Sequence, residues 1–277
     1  MTLLEHLQQR FPESSKTTLR QLLQNGRVSV NGEIEKNAKL VLDDDDFVDV
    51  GAKPTHRALP PGVAVLHEDD AVIVLLKPHG LLTVATERER ENTLQAGLNR
   101  YLAGGGRERI HVVHRLDRET SGVLLFAKTF PAREALKEQF AAHSTERLYI
   151  AVVEGTMEPA EGTIRSHLLE GRDLRMRSVA ASTAEAKLAI THYRTIEVKA
   201  PYSMLEVTLE TGRKNQIRAH LSEAGHPVAG DQFYGAATNP LGRLGLHAKL
   251  LGFTHPTTGK RLTFTAPIPH AFRDLFR

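Results

Sequence analysis

Residues 111–129, HVVHRLDRETSGVLLFAKT, hold the densest set of groups able to do chemistry in this 277-residue chain. His114, Arg115, Asp117, Thr120 and Ser121 stand between one apolar run and a second that begins at Gly122. Polar groups set between buried strands must find partners, because each buried donor or acceptor left unpaired costs about 1–3 kcal/mol. A structured turn would meet that demand, with Asp117 accepting from backbone N–H groups ahead of Thr120 and Arg115 paired to it. A metal site is the other arrangement to weigh. His111, His114 and Asp117 make H-x-x-H-x-x-D, and three-residue steps converge on one face of a helix. VVHRL and GVLLFA read as extended, however, and in a strand positions 111 and 114 point to opposite faces, so no metal is expected. With no cysteine in the chain, disulfides, thiolate zinc sites and thiol nucleophiles are excluded.

Two further residues matter later in the chain. Arg218 lies in NQIRAH, inside a stretch, Thr211 to Ala224, that reads as a helix ended by Gly225 and Pro227 with Ile217 and Leu221 facing the core. Taken alone it is a surface arginine. Tyr149, in ERLYIAVVEG, reads locally as a core aromatic on a strand. Arg165, Arg172, Arg175 and Arg177, then Arg213, Lys214 and Arg218, concentrate positive charge in the second half of the chain. The formal net charge is only +3, with a pI near 9.1, so a polyanionic partner is allowed but not required.

The elements that must position these groups fall into two predicted domains. Residues 1–50 carry Leu3, Leu4 and Leu7 at helical spacing, and Leu19, Leu22 and Leu23 repeat it after a polar break. Asn25-Gly26 stops the second helix, VSVNGEI reads as a hairpin about Asn31-Gly32, and a strand over Phe47–Val50 follows the acidic run Asp43–Asp46. Residues 51–62, GAKPTHRALPPG, read as a linker. Beyond it, residues 63–277 alternate strands (AVIVLLK, VLLFAK, LYIAVVEG, KLAITHYRTIEV, SMLEVTLET) with helices over 93–103 and from Pro131 to about His143. Several strands succeed one another without a helix, which predicts an α+β domain on a mixed, mostly antiparallel sheet. Gly104–Gly106 is a loop rather than a phosphate cradle, since no G-K-[ST] follows. No run is long and apolar enough to span a bilayer and the N-terminus does not read as a signal peptide, so the expected location is cytoplasmic.

The segment from His114 to Gly122, H-R-L-D-x-x-T-S-G, resembles the signature of the RluA family of pseudouridine synthases. KPHGLLTV (77–84), ERLYIAVVEG (146–155), LETGRKNQIRAHLSEAGHPVAGDQFYG (209–235) and LHAKLLGFTHPTTG (246–259) are similar to its other motifs in the same order. Residues 15–45 resemble the α-L RNA-binding module first recognised in a ribosomal protein. The resemblance implies an RNA substrate, no cofactor and base flipping. It makes Asp117 the catalytic aspartate, Arg218 the arginine that pairs with it and Tyr149 the aromatic beneath the uracil. Arg115 would enter the RNA helix in place of the extruded nucleotide. Lys77, His114, Thr120 and Arg213 are implied RNA contacts in the catalytic domain, and Lys16, Arg20 and Arg27 in the N-terminal module. Two departures stand out. Asn215 occupies a position where the family commonly has histidine, and residues 1–53 carry nine Asp/Glu against seven Lys/Arg. Members with this layout mostly modify large-subunit ribosomal RNA, with transfer RNA the other substrate to weigh. A monomer is expected, and a non-catalytic RNA-binding or ribosome-assembly factor is the competing reading.

Overall fold

The computed structural model describes residues 1–31, 33–43, 46–50, 59–87, 89–102 and 109–277. Most of the expected linker (51–58), Gly32 of the expected hairpin, part of the acidic run (44–45) and the Gly104–Gly106 loop lie outside the described residues. The chain divides into two compact units, a smaller one containing residues 1–50 and 100–102 (the end of the helix Leu94–Leu102), and a larger one built from 59–99 and 109–277.

In the smaller unit, α1 (Leu3–Arg10) and α2 (Lys16–Gln24) precede a three-stranded antiparallel sheet of β1 (Val28–Val30), β2 (Glu33–Ile34) and β3 (Val48–Val50), with β1 central. Thr2 and Glu5 cap the start of α1 reciprocally, each side chain accepting the other's backbone N–H. Ser15 caps α2 by accepting the Thr18 N–H. Leu3, Leu7, Leu19, Leu23, Val28 and Val48 form the core of this unit. Helical spacing of leucines was the legible signal for both helices, and it places Lys16 and Arg20 one turn apart on the exposed side of α2.

The larger unit begins with β4 (Ala64–Glu68), β5 (Val72–Lys77), α3 (Leu94–Leu102), β6 (His111–Val112), β7 (Ser121–Ala127) and α4 (Phe130–Ala141). Four strands follow in succession: β8 (Glu146–Glu154), β9 (Glu161–Glu170), β10 (Met176–Val179) and β11 (Lys187–Lys199). Then come β12 (Tyr202–Leu209), α5 (Gln216–Glu223), β13 (Leu246–Thr254), β14 (Arg261–Thr265) and α6 (His270–Phe276). Eleven strands make one sheet in the order β10-β9-β11-β12-β8-β13-β7-β5-β4, with β14 on β13 and β6 on β7. Every pairing is antiparallel except β13 with β7, where His247 faces Ser121 and Ala248 faces Gly122. The fold is therefore α+β on a mixed, mostly antiparallel sheet, as the pattern of strands predicts. Among the described residues no helix is long and apolar enough to cross a membrane.

The parallel pair is the hinge of the design. Gly122 has φ +122°, and a Cβ there would sit 2.1 Å from the Ala248 carbonyl oxygen, so only glycine lets β13 approach. One core (Val72, Val74, Val123, Leu125, Leu136, Phe253) lies under α4, and another (Ala151, Val153, Leu205, Val207, Ile217, Leu221) under α5. Two helices differ from expectation. The helix after Thr129 ends at Ala141, and His143 takes a left-handed φ of +56°. The helix expected over Thr211–Ala224 starts only at Gln216, for the reason given below.

Candidate active site

Asp117 lies in the loop between β6 and β7, and that loop is tied down at nearly every turn. Thr83 donates its hydroxyl to the Leu116 carbonyl (2.7 Å), and Lys77 Nζ donates to the Arg118 carbonyl (3.0 Å). Arg118 Nε donates to the Gly80 carbonyl (3.1 Å), and the Thr120 N–H to the Asp117 carbonyl (3.2 Å). At the loop's exit, Arg243 Nη2 donates to Ser121 Oγ, which is also 2.7 Å from His247 Nδ1. Burial and the nearby Arg243 charge push the His247 pKa down to about 4, so the ring is neutral at ordinary pH. Such a scaffold holds a carboxylate in one place without using the carboxylate itself. The turn expected from the sequence is present, but its partners differ, since the Asp117 side chain pairs with Arg218 and not with Arg115.

Arg218 arrives from 101 residues further along, on α5. Its Nη1 is 3.4 Å from Asp117 Oδ2, while Nε and Nη2 donate to Asp231 at 2.6 and 2.8 Å. Tyr234 lies beneath the guanidinium, 4.8 Å from centroid to Cζ. Burial works against the arginine's charge, but the Asp231 hydrogen bonds and the charges of Asp231 and Asp117 outweigh it, so its pKa lies above the ordinary value.

The start of α5 is set by Gln216. Its Oε1 accepts from Thr211 Oγ1 and from the Arg213 N–H, and its Nε2 donates to the Ile190 carbonyl and Thr191 Oγ1. This buried, fully bonded amide folds residues 211–215 onto β11 as a loop. Asn215 then takes a left-handed conformation (φ +48°), which asparagine tolerates better than most residues, and its Nδ2 reaches Tyr234 Oη. The departure at this position thus has a backbone role.

Asp117, Arg218, Tyr149 and Arg115 line one cavity of about 580 Å³, together with Arg147, Leu246 and the loop 212–216. That size suits a flipped nucleotide or another small organic group. Tyr149 is half-buried on β8, and its hydroxyl has no hydrogen-bond partner among the described residues. Burial raises its pKa, so the phenol stays protonated at neutral pH. The cavity therefore offers one carboxylate, an aromatic face and several cations, a set able to attack an electrophilic carbon and stabilise a departing anion.

Other expected RNA contacts need correction. Lys77 is only 2 % exposed, and its ammonium donates to the carbonyls of Pro78, Leu81 and Arg118, leaving no donor for a phosphate. Burial lowers its pKa to about 7. His114 accepts the Leu125 N–H through Nε2 and stacks on Phe140, thereby filling the gap in the β7 ladder between β13 and β6. Burial pushes its pKa down to about 3, so it is no cation for RNA. The Thr120 hydroxyl is buried with no hydrogen-bond partner among the described residues. Arg115 is exposed at the cavity, and Arg213 is half-buried with Nε on the Leu188 carbonyl. Of the distal basic residues, Arg175 and Arg177 pair with Asp173 and Lys214 with Glu170. Lys16 and Arg20 are exposed and Arg27 half-buried in the smaller unit. Among the described residues, no three His, Asp or Glu side chains gather as a metal site. Asp231 and Arg147 were not singled out from sequence. Arg147 shares a strand face with Tyr149 two residues on, which is the one signal that could have found it.

The architecture is therefore a large mixed sheet carrying an Asp–Arg pair beside a tyrosine-lined cavity. The sequence profile of RNA pseudouridylate synthases matches residues 71–223. RNA pseudouridine synthase YlyB of Bacillus subtilis is 36% identical over 94% of this chain and 88% of its own length. Ribosomal large subunit pseudouridine synthase D of Neisseria meningitidis serogroup A is 35% identical over 94% of this chain and 73% of its own. Human RNA pseudouridylate synthase domain containing 4 superposes with a TM-score of 0.63 at 25% identity, covering 76% of this chain and 90% of its own. The chain belongs to the RluA family of RNA pseudouridine synthases, and is an enzyme of that class.

Proposed function

We propose that this synthase isomerises a flipped-out uridine of large-subunit ribosomal RNA, with Asp117 as the nucleophile. The observation that carries the reading is the 3.4 Å approach of Arg218 Nη1 to Asp117 Oδ2 in the cavity that Tyr149 lines. The carboxylate attacks C1′ of the ribose as the C1′–N1 bond breaks, and the bonding pair leaves with the uracil. The base turns, its C5 attacks C1′, the carboxylate is released, and the C5 proton is lost while N1 gains one. The same carboxylate could instead withdraw a proton from C2′ and pass through a glycal, and the geometry serves both routes. No net hydrolysis occurs, so a cavity that limits water suits the reaction. Arg115, exposed at the cavity, fills the gap left by the extruded nucleotide, offsetting a few kcal/mol of unstacking. Lys16, Arg20 and Arg27 of the smaller unit add phosphate contacts.

Ribosomal RNA is favoured because relatives that align over most of this chain are named for the large ribosomal subunit. Incubating wild type and Asp117→Asn with uridine-containing ribosomal RNA, then mapping pseudouridine, tests the mechanism. Product from wild type alone is expected. Equal product from both proteins removes Asp117 as nucleophile. A second comparison, mapping pseudouridine in ribosomal and transfer RNA of cells with and without the gene, tests the target, and a loss confined to transfer RNA overturns it.

A further inference from the structure

Arg147 is a guanidinium at the cavity with no carboxylate in an ion pair with it among the described residues. The residue is only 8 % exposed, yet it lines the cavity with Asp117 and Tyr149. Its Nη2 donates to the carbonyls of Leu209 and Glu210 (3.2 and 3.0 Å), while among the described residues Nε and Nη1 have no hydrogen-bond partner and no carboxylate forms an ion pair with it. Phe140 lies 5.7 Å away on one side. On another, a Cβ at residue 212 would come within 2.7 Å of Nη1, so Gly212 leaves the space that the guanidinium occupies. Burial depresses its pKa with only Tyr149 to offset the effect, and Tyr149 in turn senses the charges of both Arg147 and Asp117. A buried cation without a counter-charge is costly, and a site that keeps one is arranged for negative charge that arrives with the ligand.

That negative charge has a source in the proposed reaction, on which this inference rests. When the C1′–N1 bond breaks, its electron pair leaves on the uracil and spreads over O2 and O4. Tyr149 and Arg147 are two residues apart on β8, so their side chains project from the same face roughly 7 Å apart. A base lying against Tyr149 then has one edge within reach of Arg147. We infer that Arg147 is a catalytic residue that stabilises the uracil anion as it leaves C1′, while Asp117 and Arg218 work on the sugar side. Such a fixed cation acts on the transition state without having to reorganise.

The test compares single-turnover loss of the C1′–N1 bond in two RNAs, one with uridine and one with 5-fluorouridine at the target. Fluorine withdraws charge from the ring and makes the base a better leaving group, so it needs less help. Arg147→Gln keeps a donor for the Leu209 and Glu210 carbonyls and removes the charge. Its rate on uridine RNA should fall by about 10²-fold, the effect of losing one preorganised group, with RNA affinity little changed. On 5-fluorouridine RNA the loss should shrink below about tenfold. An equal loss on both RNAs, or a loss confined to RNA affinity, overturns the assignment and leaves Arg147 a packing or phosphate-binding group. If Arg147→Gln lacks the wild-type melting transition, Arg147→Lys takes its place, and its smaller defect must show the same dependence on fluorine. Asp117→Asn, run alongside, reports separately on the nucleophile: activity there defeats that reading whatever Arg147 does.

Discussion

Asp231 grips Arg218 by two of its three nitrogens, at 2.6 and 2.8 Å, and so aims the third at Asp117. Asp231 itself is almost wholly buried, and its Oδ1 also accepts the Tyr234 N–H at 3.3 Å. The guanidinium is thus held by a partner other than Asp117, and its position does not depend on that carboxylate. Preorganisation of this kind is what an active site needs, because a shift of about 1 Å can cost 10²-fold in rate.

Removing Asp231 should therefore separate positioning from charge. Asp231→Ala leaves a buried guanidinium with one weak partner and is expected to cost about 3–5 kcal/mol of stability. Asp231→Asn keeps one acceptor and should fold, while its single-turnover rate falls by about 10²-fold with RNA affinity preserved. Melting curves and rapid-quench kinetics on the two variants check both halves. A normal rate in Asp231→Asn would mean that α5 alone holds Arg218.

The acid limb of stability should carry the signature of His114. Burial, with a smaller contribution from the Arg147 charge, lowers its folded pKa to about 3, below the value of 6.5 for a free imidazole. Between these two values the unfolded chain takes up a proton that the folded chain refuses, so His114 contributes a loss of stability as pH falls from 6.5 toward 3. His114→Gln can still accept the Leu125 N–H and does not titrate. Denaturant unfolding of the variant should show a shallower decline across that window, by up to one proton. Parallel curves would show that the ring gains its proton without leaving the β7 ladder.

Gly122 offers a sharper structural test. A methyl group there would meet the Ala248 carbonyl oxygen at 2.1 Å and the Ala248 nitrogen at 2.6 Å, in a backbone conformation (φ +122°) that L side chains rarely adopt. Gly122→Ala must push β13 away from β7 next to the exit of the Asp117 loop. The expected loss exceeds about 4 kcal/mol and should appear as insoluble protein or a collapsed melting temperature. Alanine at Gly80, where a Cβ meets nothing within 4 Å, carries only the backbone penalty (φ +80°) and serves as the control.

The sequence made the strands legible because β-branched runs and turn residues alternate clearly, and the two short helices because leucines recur every three or four positions. Asp117 stood out through its motif, and its link to Arg218 was an expectation carried by resemblance that the geometry meets. Other features depended on distant partners. Thr211–Ala224 has a helical pattern, but Gln216 bonds two groups of β11 and two of its own loop and holds the first five residues out of the helix. Lys77 was expected to meet RNA because the resemblance implied it. Three carbonyls from two loops converge on it instead, which no local pattern announces. Asp231 was part of the recognised GDQFYG run without a role, since only the fold shows which side chain it holds.

The smaller unit provides the last prediction. Lys16 and Arg20 are exposed on one side of α2, although residues 1–53 carry more acidic than basic groups. If these two cations meet phosphates, the double variant Lys16→Ala/Arg20→Ala should bind RNA more weakly while its single-turnover rate at saturating RNA stays the same. Each lost phosphate contact removes about 0.7–0.9 from the slope of log affinity against log salt, so the slope should flatten by roughly 1.5. Filter binding across a salt series measures this directly. An unchanged slope would assign the exposed face of α2 to solvent, and the larger unit would then supply the charge that holds the RNA.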